Sequence, residues 1–157
     1  MGFIKDTFSD PSMLEDEAFH EKIREDGILL KVVQEIFPKE QIVSAWARFP
    51  DKKRDGNFAA KTDHGERIDI ALAPADETNA EHRLYYMRTK LSEELDKGIY
   101  GWKLKNRTFY VMFCPFDPLT SENKAKHVIV LAEASDPDAF KDFFKSKLIV
   151  INTSVFE

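Results

Sequence analysis

Two stretches hold the residues with the most chemistry in them. Between Arg83 and Arg107 cations alternate with aromatic rings: Arg83, Tyr86, Arg88 and Lys90 on one predicted helix, then GIYGWKLKNRTFY (98–110), where Tyr100, Trp102 and Phe109 stand among Lys103, Lys105 and Arg107. Lys and Arg neutralise phosphates while aromatic faces stack on bases, so the mix suits nucleic acid. The same residues also read as a solvated loop whose aromatics fold back on the core. RDGNFAAKTDHGERIDIALA (54–73) is a different case. Its second half alternates with period two, which puts Asp69, Ala71 and Ala73 on one face of a strand: one oxygen ligand followed by two side chains that offer none.

Other chemistries find little support. His20, His64, His82 and His127 are scattered singly, without the spacing or the Cys partners of a zinc site or a nucleophilic triad. The six glycines are dispersed, so there is neither a phosphate-cradling loop nor a dinucleotide fingerprint. The one cysteine, Cys114, lies in an apolar run and reads as a buried, unreactive thiol. A net charge of −5 gives no general attraction to polyanions, so any nucleic-acid contact must use a local patch.

The elements that must position these residues follow from periodicity and punctuation. A chain of 157 residues, 43% hydrophobic and 32% charged, fits one globular domain, with thirteen phenylalanines for its core. Leu14, Ala18, Ile23, Ile28, Leu29, Val32, Val33 and Ile36 have helical spacing interrupted at Asp26-Gly27, which predicts two helices ending before Pro38. QIVSAWARF (41–49) predicts a strand, followed by a loop carrying Lys52, Lys53 and Arg54. A hairpin comes next: NFAAK, a turn at Asp63-His64-Gly65, then RIDIALA, ended by Pro74. Leu84, Tyr85, Met87, Leu91 and Leu95 predict a helix over 80–97 with Gly98 as its C-cap. TFYVMFC (108–114) is continuous enough for a strand buried on both faces. KHVIVLAEA predicts another strand, DAFKDFFK a short helix behind Ser135-Asp136-Pro137-Asp138, and KLIVINT the last strand.

This order of elements predicts a single α/β domain over 1–157, with a mixed central sheet flanked by helices. Residues 1–12 are either a loose lead-in or, through Phe3, Ile4 and Phe8, a segment packed on the domain. No apolar run approaches the roughly 20 residues that span a bilayer, and the N-terminus has no signal-peptide core, which points to a cytoplasmic protein without a membrane partner.

Three stretches, in order over about residues 13–153, carry a family likeness. LEDEAFHEKI (14–23) has an Asp-x-x-Phe-basic pattern and leads into ILLKVVQEIFPKEQIVSA; ADETNAEHRLYYMRTKL (75–91) has an Arg near a Tyr-Tyr pair; FYVMFCPFDPL (109–119) is a strand ending in Phe-Asp-Pro, and KLIVINT later ends in Asn-Thr. Together they resemble the PD-(D/E)xK nuclease superfamily, in its transposase-associated, recombination-promoting branch. The resemblance implies a restriction-endonuclease-like fold. It also implies, in active members, an acid on one hairpin strand and Glu-x-Lys or Glu-x-Gln on the next. The acids hold Mg²⁺, the metal lowers the pKa of a bound water, and the Lys or Gln positions that water for attack on phosphorus.

Laid on that pattern, Asn57 falls at the first acid, Ala71 at the Glu and Ala73 at the Lys or Gln. Asn offers one neutral oxygen and Ala none, whereas hard divalent cations depend on carboxylate charge. The resemblance therefore implies a nuclease fold without nuclease activity and without a cofactor, acting by binding DNA or a protein partner. Two other readings stand beside it. A shifted register makes Asp69 the first acid of an Mg²⁺-dependent endonuclease completed by Asp76, Glu77 or Glu81, or the chain is a protein-interaction module with no nucleic-acid contact.

Overall fold

Apolar alternation through 57–74 builds the hairpin at the heart of the sheet. Strands β2 (Asn57–Thr62) and β3 (Arg67–Pro74) pair antiparallel, with Asn57 opposite Ala71 and Ala59 opposite Asp69. Gly65 in their turn has φ 79°, a left-handed conformation that glycine adopts without a steric penalty. Strand β1 (Ile42–Ala47) adds antiparallel outside β2, while β4 (Arg107–Cys114) runs parallel to β3. Beyond β4, strand β6 (Lys147–Asn152) runs parallel to it and β5 (Lys126–Val130) closes the far edge antiparallel. The computed structural model describes residues 2–93, 107–130, 135–136 and 146–157, and within them the chain is a single α/β domain on a six-stranded mixed sheet of order β1-β2-β3-β4-β6-β5.

Period two sorts the side chains of this sheet into two cores. On one face Phe58, Ile68, Ile70, Leu72, Val111 and Phe113 meet helices α1 (Phe3–Phe8), α2 (Asp16–Ile23) and α3 (Ile28–Ile36). Phe8, Phe19 and Phe113 interlock there, with ring centroids 5.3–5.5 Å apart and the planes steeply inclined, the arrangement that aromatic quadrupoles favour. On the other face Tyr110, Met112, Cys114, Leu148 and Val150 meet helix α4 (Ala80–Ser92) through Ala80, Leu84, Met87 and Leu91. Strand β4 serves both cores, which is why its sequence is a nearly unbroken apolar run. Burial pushes the Cys114 thiol up to about 11, so the thiolate is scarce at neutral pH.

Residues 3–8 pack on the domain rather than forming a loose lead-in. Helix α1 buries Ile4 and Phe8 completely, and its opening amides, Phe3 N–H and Ile4 N–H, donate to the Glu35 carboxylate of α3 at 2.9 and 3.2 Å. A carboxylate from a neighbouring helix thereby satisfies donors that a helix start leaves without partners. Asp10 then accepts from Ser12 N–H at 3.0 Å and opens a 3₁₀ turn over Pro11–Leu14. Pro74 is the last residue of β3 rather than the first beyond it.

The Phe-Asp-Pro stretch also has a structural task. The Asp117 carboxylate accepts from the amides of Leu119, Thr120 and Lys124 at 2.9–3.0 Å, and from the Thr120 hydroxyl, and it contacts His127 Nε2 at 2.9 Å. Burial alone would raise this carboxyl; the donors from Thr120, Leu119 and Lys124 outweigh it and hold the group well below the usual carboxylate range. Residues 94–106, 131–134 and 137–145 lie outside the described residues, and with them the end of the helix predicted over 80–97, Gly98, most of the basic loop and the DAFKDFFK helix. No described helix is long and apolar enough to cross a membrane.

Candidate functional site

The side chains of β3 that point away from the three-helix core face α4, and between strand and helix lies a cleft of about 600 Å³. Its floor comes from the sheet. Asn57 and Ala71 are direct cross-strand partners, Ala73 follows two residues on, and Tyr110 is the neighbour of Ala71 on β4. Its wall comes from Asn79, the N-cap of α4, and from His82, Arg83, Tyr86, Met87 and Lys90 on the helix itself. Positions 79, 82, 83, 86 and 90 recur at three- and four-residue steps, so they share one side of a helix.

Local chemistry sets both parts in place. Gly56 O accepts from Leu72 N–H at 2.8 Å, and a Cβ built on Gly56 would stand 2.2 Å from the Leu72 carbonyl oxygen. Only glycine lets the chain enter β2 this closely. Asn57 is then fixed by Asp55, whose carboxylate accepts from Asn57 N–H at 2.8 Å and from the side-chain Nδ2 at 3.2 Å. The start of α4 is held by a reciprocal pair. Asp76 accepts from Thr78 N–H, the Thr78 hydroxyl and Asn79 N–H at 2.6–3.0 Å, while Asn79 Oδ1 accepts from Asp76 N–H at 2.8 Å. The bonds from Thr78 and Asn79 hold the Asp76 carboxyl below its ordinary value.

The structure brings Asn57, Ala71, Ala73, Arg83, Tyr86 and Lys90 into this one cleft. It leaves the other expected residues elsewhere. Asp69 is on the same face of β3, only 14% exposed, and accepts from Arg67 Nε at 2.9 Å. Arg88 lies against the ring of Tyr85, its guanidinium 5.2 Å from the centroid, and does not line the cleft. Arg107 stands over Phe109 on the opposite face, held by Glu40 at 2.6 Å and Glu66 at 2.5 Å. Lys103 and Lys105 lie outside the described residues. Asp76, Glu77 and Glu81 do not line the cleft, and among the described residues no three His, Cys, Asp or Glu stand close enough to hold a metal ion.

Among the described residues lining the cleft there is no carboxylate, while Arg83 and Lys90 bring positive charge beside the His82 ring. Arg83 Nη2 is 4.0 Å from Asp16 and Lys90 Nζ is 3.7 Å from Glu93, both looser than a hydrogen bond. Arg83 Nε is buried without a hydrogen-bond acceptor among the described residues, a state that costs about 1–3 kcal/mol. Tyr86, 57% exposed, presents its ring beneath Lys90 Nζ at 5.5 Å. Behind the cleft, the buried His20 ring has Nε2 3.5 Å from Asp16 and Nδ1 without a partner among the described residues. Burial lowers its pKa, ahead of the opposing pull of Asp16, which favours the neutral ring.

Such a cleft can bind an anion and flank it with aromatic surface. Among the described residues it offers no carboxylate to seat a divalent cation. Comparisons with protein-family models, curated proteins and solved structures find no match. Sequence reasoning missed Asp55, Gly56, Asn79, His82 and Tyr110. For His82 and Asn79 the signal was present in the helical spacing to Arg83 and Tyr86, but Tyr110 enters only through the pairing of β3 with β4.

Proposed function

We propose that the chain is a catalytically silent nuclease-like domain of PD-(D/E)xK type that binds DNA through the cleft between β3 and α4. One observation carries this reading: Asn57, Ala71 and Ala73 meet on the cleft floor, where the resemblance expects acid, acid and Lys or Gln. With no carboxylate among the described residues lining the cleft, none of them would hold Mg²⁺ or lower the pKa of an attacking water, so in this reading the chemical step is lost while the surface for a phosphate backbone is kept. Arg83, Lys90 and Tyr86 support the binding role, because phosphate contacts supply most of the affinity for nucleic acid and exposed rings add stacking.

Plasmid DNA incubated with the protein and Mg²⁺ or Mn²⁺ should stay intact. Labelled DNA should bind at low salt, equally well in EDTA, and dissociate steeply as salt rises. Lys90→Glu should weaken that binding. Metal-dependent nicking that disappears in Asp69→Ala would instead establish the endonuclease with displaced ligands. The absence of any DNA shift at low salt would leave a protein-interaction module.

A further inference from the structure

We propose that the cleft takes a single nucleoside 5′-phosphate unit, without metal, with the phosphate on Arg83 and Lys90 and the base over the Ala71 and Ala73 floor beside Tyr110. The inference rests on the binding reading above and goes further by naming the unit recognised. Size is the first reason. About 600 Å³ falls within the roughly 300–1,000 Å³ of pockets that enclose small ligands. The two alanines create much of that room, since longer side chains at 71 and 73 would occupy it from the floor.

Charge is the second reason. Arg83 and Lys90 are seven residues apart on α4, about 10.5 Å along the axis, and both side chains are long enough to converge on one phosphate between them. Their present acidic neighbours, Asp16 and Glu93, are at 4.0 and 3.7 Å and partly exposed, so a phosphate oxygen can displace them with shorter, charge-assisted bonds. Arg83 Nε is a buried donor still lacking an acceptor among the described residues. His82 adds a further ring nitrogen on the same wall.

Aromatic and amide groups complete the fit. Tyr110 on the floor and Tyr86 on the wall offer faces to a base, and the amides of Asn57 and Asn79 line the same space, with donors and acceptors that can meet its edge. The unit can be a free mononucleotide or an unpaired nucleotide within a strand.

Calorimetry in EDTA on the full chain separates these cases, using thymidine 5′-monophosphate, thymidine, inorganic phosphate, a single-stranded oligothymidine and a fully paired duplex as probes. Thymidine 5′-monophosphate should bind more tightly than thymidine or phosphate alone. Arg83→Ala and Tyr86→Ala should each weaken it by about tenfold, whereas Arg88→Ala, which removes the same charge outside the cleft, should leave it within about twofold. Ala71→Leu, checked for folding by circular dichroism, should abolish it. Oligothymidine binding tighter than the monophosphate would assign the site to an unpaired nucleotide in a strand; binding of the monophosphate alone would assign it to a free nucleotide and refute the DNA reading. DNA binding without monophosphate binding, or monophosphate binding indifferent to Arg83→Ala and Tyr86→Ala, would overturn the single-nucleotide site and leave the DNA reading standing.

Discussion

Gly56 and His20 set the back of the cleft, and each makes a measurable demand. A methyl group at 56 meets the Leu72 carbonyl oxygen at 2.2 Å, a backbone atom that cannot retreat without disturbing β3. Gly56→Ala should therefore destabilise the fold by about 1–3 kcal/mol, read as a lower midpoint in denaturant unfolding. His20 links stability to pH. Its folded pKa is below the ordinary 6.5 because burial disfavours the charged ring, with Asp16 and Asp55 pulling up and Arg24 and Arg83 pushing down. The folded state then binds fewer protons than the unfolded one, so the stability it contributes is complete above about pH 6.5 and is lost as pH falls through that value toward the folded pKa. Unfolding midpoints at about pH 7.5 and pH 5.5 should differ more for the native chain than for His20→Gln. At this scale the sequence showed which residues share a face but not what each one meets. Arg107 looked like part of a basic patch because Glu40, 67 residues earlier in the chain, is joined to it only by folding.

The hairpin and α4 are the elements that make the cleft, and they were the most legible part of the chain. Strict alternation in RIDIALA and the Asp63-His64-Gly65 turn fix which residues point toward α4, whatever lies beyond. The contribution of α1 was harder to see, because six residues with three large apolar side chains gain helical order only by docking on α3 and capping with Glu35. The register of the hairpin can be tested directly. Asn57 and Ala71 are cross-strand partners, whose Cβ atoms in such pairs are about 4.5–5.5 Å apart, and the Asp55 carboxylate is already 3.2 Å from the side chain at 57. The triple variant Asn57→Asp, Ala71→Glu, Ala73→Lys brings acids together there. It should be less stable than the native chain without metal, through repulsion, and should recover stability when Mn²⁺ is added. A melting temperature that ignores Mn²⁺ would show that these positions do not converge as described.

For the whole molecule, the succession of helices, hairpin, helix and strands was enough to predict one α/β domain with a mixed sheet. The strand order was not legible, since nothing local says that β6 inserts between β4 and β5 or that β5 runs antiparallel at the edge. That insertion matters little to the cleft, but the pairing of β3 with β4 matters a great deal, because it supplies Tyr110 and sets the sheet on which α4 rests. A chain of net charge −5 has to attract a polyanion locally, and the cleft gathers His82, Arg83 and Lys90 with no carboxylate among its described lining residues. The most direct test is fluorescence anisotropy of a labelled single-stranded oligonucleotide, titrated with the protein in EDTA and again in Mg²⁺ over a range of salt. Binding should be the same with and without Mg²⁺, should leave the strand uncut and should fall linearly in log affinity with log salt. Binding that requires Mg²⁺, or a strand cut in its presence, would contradict the proposed function.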